Sequence, residues 1–264
     1  MKKICLLFIL LSVNPGELVA AQRNPALEFL SQVYSPSGTA DLSQFLAPGF
    51  RDHDLGLDEG AAGWTARALE FRHDAHASWN PARSVVSGDL AAVHSRLVLS
   101  DHSWIVADFF RSGGGKFLEH WRVIQPEAKT SANGHTMVDG DPGADGDDAV
   151  SSKNKTAVET LIGELFTQGN RATADQLVDQ NYIQHNPMVK NGRAPLKAIF
   201  GGRKTPIKVH FVVAQVNLVF AFLTYPGVMA VDLFRVEGGL IREHWDVIQS
   251  EPSGEDIPEG RTVY

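Results

Sequence analysis

Two acids and two histidines recur in this chain at one spacing. Asp108 stands 12 residues before His120, and Asp232 stands 12 residues before His244. Each pair belongs to a longer repeated phrase. The first is Asp108-Phe109-Phe110-Arg111, then Glu119-His120-Trp121-Arg122-Val123-Ile124-Gln125; the second is Asp232-Leu233-Phe234-Arg235, then Glu243-His244-Trp245-Asp246-Val247-Ile248-Gln249. Repetition over this length marks a tandem copy of one small domain, so any site exists in two versions. Asp108 lies in the apolar run Trp104-Ile105-Val106-Ala107-Asp108-Phe109-Phe110. Among apolar groups a carboxylate is desolvated and its pKa rises. An acid tuned in that way suits proton transfer near neutral pH. A structural ion pair, for instance with Arg111, is the other use of the same residue.

Aligning the copies pairs His53 with His185, Trp121 with Trp245, and His94 with Phe222. His94 falls on the strand next to that of Asp108, where the two side chains are expected to share a face and pass a proton to and from a carbonyl substrate. The expected catalytic residues are therefore Asp108 and His94, with Asp232 in the second copy. His53 and His185 end short apolar runs beside loops, a position that lines pocket mouths. Strand alternation puts His120 and Trp121, and likewise His244 and Trp245, on opposite faces. Together His53, His185, His120, His244, Trp121 and Trp245 form the expected substrate-binding set. The chain has no G-x-S-x-G, H-E-x-x-H, P-loop or G-x-G-x-x-G motif. No cofactor and no metal are expected. A metal site of His53, His94 and Asp108 lacks close ligand spacing. The acidic run from Asp139 to Asp148 has Gly143 and Val150 where a calcium loop needs ligands.

The elements that must position these residues follow from the whole chain. Its 264 residues, 43% hydrophobic and 21% charged, suit two ordinary globular domains. Residues 1–21 combine Met1-Lys2-Lys3, an apolar stretch and the small residues Ala20 and Ala21, the pattern of a signal peptide for a secreted or periplasmic protein. The only cysteine, Cys5, lies within it, so the mature chain is expected to lack disulfides and thiolate chemistry. Losing Lys2, Lys3 and Glu17 with that segment takes the formal charge from −7 to −8. An acidic chain without a basic cluster is a poor match for nucleic acid, and no later stretch has the length of a membrane span. Domain 1 is expected over 22–125, a mobile Gly/Asp/Ser-rich linker over 126–155, and domain 2 over 156–264. Helical spacing appears at Leu27, Leu30 and Val33, at Leu42, Phe45 and Leu46, and over 156–168, 172–179 and 194–201. Strands are expected at 83–87, 90–99, 104–111 and 116–125, then at 207–213, 216–224, 228–236 and 240–249. Helices followed by a strand meander make each repeat an α+β domain.

Tyr182-Ile183-Gln184-His185-Asn186-Pro187, Gly192-Arg193 and the two Asp/Glu-His-Trp phrases resemble the SnoaL-like polyketide-cyclase family of the nuclear-transport-factor-2-like superfamily. Gly88-Asp89-Leu90-Ala91-Ala92-Val93-His94 and the segment Asn133-Gly134-His135-Thr136-Met137 extend the likeness. The resemblance implies cone-shaped α+β barrels, each a curved antiparallel sheet wrapped by helices around a pocket. It implies aldol-type chemistry without cofactor, with Asp108 as the pocket acid/base, His94 nearby and His53 at the rim. Phe222 in place of the pocket His weakens the case for catalysis in the second copy. Family members dimerise through the sheet, so the two repeats are expected to form an intramolecular pseudo-dimer. Two functions follow as expectations: a secreted, cofactor-independent acid/base enzyme (a cyclase or isomerase) for a small carbonyl compound, or a non-catalytic protein that binds a small apolar ligand or serves as a structural pseudo-dimer.

Overall fold

The computed structural model describes residues 24–39, 41–56, 58–144 and 148–264. The expected signal segment and Cys5 lie outside the described residues. The first repeat runs α1 (Pro25–Val33), β1 (Leu46–Asp52), α2 (Gly60–His73), β2 (Ser78–Ser87), β3 (Leu90–Leu99), β4 (His102–Gly113) and β5 (Lys116–Pro126). The second runs α3 (Ser151–Thr160), continued by a wider π-type coil over Leu161–Thr167, then α4 (Arg171–Leu177), β6 (Val178–Gln184), α5 (Arg193–Phe200), β7 (Lys208–Gln215), β8 (Leu218–Tyr225), β9 (Val228–Glu237) and β10 (Leu240–Ser250).

Both repeats build the same sheet. The orders are β1-β5-β4-β3-β2 and β6-β10-β9-β8-β7. Four strands form an antiparallel meander, and the earliest strand returns parallel to the last. The protein is thus two α+β domains in tandem. Each sheet has β1 and β2, or β6 and β7, at its edges.

Local chemistry explains the elements that were expected. Asn24 accepts the amides of Ala26 and Leu27, Pro25 starts α1, and Ala26, Phe29, Leu30 and Val33 bury one helical face. The β4–β5 and β9–β10 turns use Gly114-Gly115 (φ 59° and 79°) and Gly238-Gly239 (φ 60° and 78°). Two successive left-handed residues are what a two-residue hairpin turn requires. Where a helix was expected around Leu42–Leu46, the chain makes a turn and then enters β1. Strands β1 and β6 carry no clean alternation (LAPGFRD and VDQNYIQ) and depend on pairing with the final strand.

One face of each sheet packs under its own helices. The other two faces meet. Ala92, Ile105, Ala107, Phe109 and Trp121 of repeat one share a core with Val213, Phe220, Phe222, Val231 and Trp245 of repeat two. Phe109 stands 6.1 Å from Phe222 and 6.4 Å from Phe220. The glutamines that close the two repeated phrases cross this seam: Gln249 Oε1 accepts from the Ile124 amide at 2.8 Å, and Gln125 Oε1 accepts from that of Ile248. The seam is an apolar face-to-face packing of two copies within one chain.

The segment after β5 belongs to this packing. Expected as a mobile linker, it buries Met137 in the shared core. Arg83 donates to the carbonyls of Val138, Asp139 and Asp141, and Asn133 donates to those of Asn186 and Val189. α3 then begins at Ser151, earlier than the expected domain boundary at Thr156. The C-terminal tail does the same in reverse. Thr136 O faces His185 Nδ1 at 2.9 Å, and Thr262 O faces His53 Nδ1 at 2.9 Å. The arm that follows each repeat therefore closes on the other.

Candidate functional site

In repeat one the repeated acid and histidine sit inside a closed ion-pair network. Adjacent register partners share a face. Asp52 pairs across with His120, and Asp108 with Arg122. His120 bridges Asp52 Oδ1 (2.9 Å, through Nδ1) and Asp108 Oδ1 (3.0 Å, through Nε2). Arg122 Nε donates to the same Asp108 oxygen at 2.7 Å, and its other nitrogens reach Tyr34 Oη and Asp54. Asp108 and His120 have no exposed surface. Trp64 lies edge-on to His120 at 4.9 Å, and Phe110 covers it at 4.5 Å. Burial opposes ionisation of Asp52, Asp108, His120 and Arg122, but the neighbouring charges outweigh it. Arg122 and His120 hold the Asp108 carboxyl below its usual range, and Asp52 with Asp108 lifts His120 to about 9. Of the most deeply buried members, two acids (Asp52, Asp108) face two bases (His120, Arg122) and balance without a ligand, while the partly exposed Asp54 sits at the edge of Arg122.

Repeat two keeps this frame and changes two of its members. Gln184 occupies the register of Asp52, and Asp246 that of Arg122. His244 Nδ1 faces Gln184 Oε1 at 2.9 Å, and its Nε2 lies 3.5 Å from Asp232 Oδ1, close enough for charge but long for a hydrogen bond. Asp246 Oδ2 accepts from Asn186 Nδ2 at 2.7 Å. Asp246 Oδ1 and His244 Nε2 are buried and have no hydrogen-bond partner. Two acids now face one base. Burial, followed by repulsion from Asp232, raises the Asp246 carboxyl to about 6 despite His244 and Asn186. Burial alone would lower His244, but the nearby Asp232 and Asp246 carboxylates raise it.

These groups form the floor of a cavity of about 320 Å³. Its apolar wall comes from Phe166, Leu196, Ile199, Phe200, Ile207 and Leu223, and Tyr225, Thr205 and Arg203 complete it. An apolar pocket with a few convergent polar groups is the usual form of a small-molecule site. Another hollow, of about 350 Å³, lies on repeat one around Leu46–Phe50 and Lys116, and no acid or histidine lines it.

The expected site residues thus divide. Asp232 and His244 line the cavity; Asp108 and His120 lie at the equivalent place but under cover. His94 does not meet Asp108: the register pairs Asp108 with Val93 and His94 with Ala107. The two side chains therefore point to opposite faces of the sheet. His94 and its counterpart Phe222 both point into the seam, and neither is a pocket residue. His53 stacks on Trp121 (4.8 Å) and His185 on Trp245 (4.6 Å), again on the seam side. Asp246, Gln184, Asn186 and Arg203 were not singled out in the sequence. The signal for Asp246 was present, since it replaces Arg122 in the repeated phrase and shares the face of His244 by alternation.

Two clusters among the described residues have ligand types and spacing that suit a metal. Asp232, His244 and Asp246 bring three ligand atoms within 4.8 Å of one another, and so do His135, Asp139 and His185. In the second, both ring nitrogens of His185 already face acceptors, Thr136 O and Glu243 Oε1. In the first, His244 Nε2 and an Asp246 oxygen remain available.

No family model matches the chain, and no curated protein matches it. It is similar to solved structures of SnoaL-like and NTF2-like proteins. A SnoaL-like polyketide cyclase candidate from Jannaschia sp. CCS1 is 19% identical over 40% of this chain and 92% of its own, with a TM-score of 0.33. An NTF-2 like protein of unknown function from Burkholderia xenovorans is 16% identical, over 39% and 90%, with a TM-score of 0.34. An LEH-like epoxide hydrolase from M. tuberculosis is 18% identical, over 38% and 84%, with a TM-score of 0.31.

Proposed function

We propose that the pocket of repeat two is the working site of an acid/base enzyme for a small carbonyl compound, and that repeat one is its closed structural counterpart. One observation carries this reading. The buried Asp246 Oδ1 and His244 Nε2 are unpartnered on the floor of an open, mostly apolar cavity. The Asp246 carboxylate takes the proton from the carbon beside a carbonyl. The C–H pair forms the new C=C bond, and the C=O π pair moves onto oxygen. His244 Nδ1–H donates to Gln184, so the ring acts as the imidazolium that Asp232 and Asp246 favour, and its Nε2–H donates to that oxygen. Gln184 orients the ring, and Asn186 orients the acid. Return of the proton to another carbon gives isomerisation, and attack of the enolate on a second carbonyl gives aldol condensation. A group that titrates near 6 is suited to both taking and returning a proton.

The test is exchange of α-protons for deuterium in a simple methyl ketone, followed by NMR. Wild type and Asp108→Asn should exchange, and Asp246→Asn should not. Exchange that survives Asp246→Asn refutes the proposal. The ligand atoms of Asp232, His244 and Asp246 also suit a divalent cation. Exchange that collapses with a chelator and returns with added metal would assign the site to metal chemistry instead. Binding of the ketone without exchange in wild type would leave a non-catalytic ligand-binding protein. We further propose export of the chain, on the pattern of residues 1–21; N-terminal sequencing of secreted protein should begin after Ala20 or Ala21.

A further inference from the structure

The loop that follows α5 holds one cation against the pocket in a fixed place. Gly202 N donates to Gly169 O at 2.8 Å, Arg203 N to Phe200 O at 3.1 Å, and Thr205 N to Thr167 O at 3.0 Å. Gly169 adopts φ +74°, and a Cβ there would lie 2.4 Å from Arg203 O and 2.6 Å from Arg203 N. The Arg203 backbone is therefore clamped against the end of the π-type coil by a contact that only glycine permits. Its side chain behaves oppositely. Arg203 is exposed, lines the cavity, and makes no ion pair or side-chain hydrogen bond among the described residues. Other arginines of this repeat, and Lys197, are engaged: Arg171 with Gly201 O, Arg193 and Lys197 with Asp175, Arg235 with Glu243, and Arg242 with Asp179.

The cavity is thus polar at both ends. Its floor holds Asp232 and Asp246, which repel an anion; its solvent side holds a free guanidinium, and the wall between is apolar. We infer that the ligand is an amphipathic carboxylate, an apolar chain whose carboxylate sits on Arg203 while its carbonyl reaches the acidic floor. Guanidinium pairs carboxylate in a two-pronged geometry, and a rigid backbone lowers the ordering cost of that contact. Arg203 is in this reading a specificity-determining residue, remote from the reacting atoms. The inference deepens the function proposed above by naming its substrate class, and it rests on that reading for the orientation of the carbonyl alone.

The test compares the methyl-ketone fatty acid 8-oxononanoate with its methyl ester, which lacks the charge. Binding is measured by calorimetry, and α-proton exchange by NMR, in the full chain and in Arg203→Gln. The acid should bind the wild type about tenfold more tightly than the ester, and this preference should vanish in Arg203→Gln. Rising salt should erode the preference as well. Equal affinities in wild type, failure of the acid to bind, or a preference that persists in Arg203→Gln each overturn the inference. The two proposals fail separately. Acid preference without exchange removes the enzyme and keeps Arg203; exchange of both compounds without preference removes Arg203 and keeps the enzyme.

Discussion

Repeat one and repeat two put the same acid and the same histidine on the same strands, and they use them differently. In repeat one the most deeply buried members, Asp52, His120, Asp108 and Arg122, neutralise one another beneath Trp64 and Phe110, with the partly exposed Asp54 at the edge. In repeat two Gln184 and Asp246 stand where Asp52 and Arg122 stood, and the network is left one positive charge short. Unbalanced charge is costly to bury, and it persists where a proton, a cation or a substrate supplies the difference. The contrast shows that a duplicated frame becomes a structural core or a reactive pocket through two residues, with topology and register unchanged.

The largest effect should come from transplanting that contrast. Asp246→Arg rebuilds the ion pair of repeat one inside repeat two; it should lower α-proton exchange by about 100-fold or more, since general acid/base groups contribute on this scale. Retained exchange would show that the comparison is misread. Asp108→Asn should do the reverse. It leaves Arg122 buried against a neutral partner and should cost about 3–5 kcal/mol of stability with exchange intact, measured by chemical denaturation. An unaltered denaturation midpoint together with lost exchange would return the chemistry to repeat one.

Titration should separate the two halves. The Asp246 carboxyl is raised, so between about 4 and 6 the unfolded chain binds fewer protons and repeat two weakens as pH rises. His120 is raised to about 9, so its stabilisation is full below about 6.5 and disappears as pH climbs toward 9. The lowered Asp52 and Asp108 act in the opposite direction, and their contribution is lost only in acid, below the ordinary carboxylate range. Hydrogen exchange of β9 and β10 should thus lose protection at lower pH than that of β4 and β5; a single shared profile would contradict the comparison. The smallest effect concerns the seam. His94 is fully buried with both ring nitrogens unpartnered, and repeat two has Phe222 there. His94→Phe should leave exchange unchanged and raise stability by about 1 kcal/mol. A loss of exchange would tie His94 to the chemistry after all.

Much of this architecture was legible in the chain. The repeat fixed the number of domains, and apolar periodicity located the meander strands and α1. The paired glycines marked the tight hairpins, and the Asp/His register named Asp232 and His244. Strands β1 and β6 escaped because neither alternates; the partner strand, remote in sequence, holds each of them. The arm over residues 133–139 looked like a linker because its polar groups find their partners far away in sequence, at Arg83 of repeat one and at Asn186 and His185 of repeat two.

What the sequence determined by itself was local and periodic: which residues alternate, which turn, and that the pattern occurs twice. Those properties follow from backbone geometry, which acts over a few residues. What only the tertiary structure decided was on which side of the sheet each polar group finds its partner. A shift of one residue along a strand moves a side chain from one face to the other, so His94 went to the seam and Asp108 to the core. The choice between a closed core and an open pocket depended on the charge that meets Asp108 and Asp232 from the neighbouring strand, and on which aromatic rings cover them. Those partners come together only when the sheet is assembled.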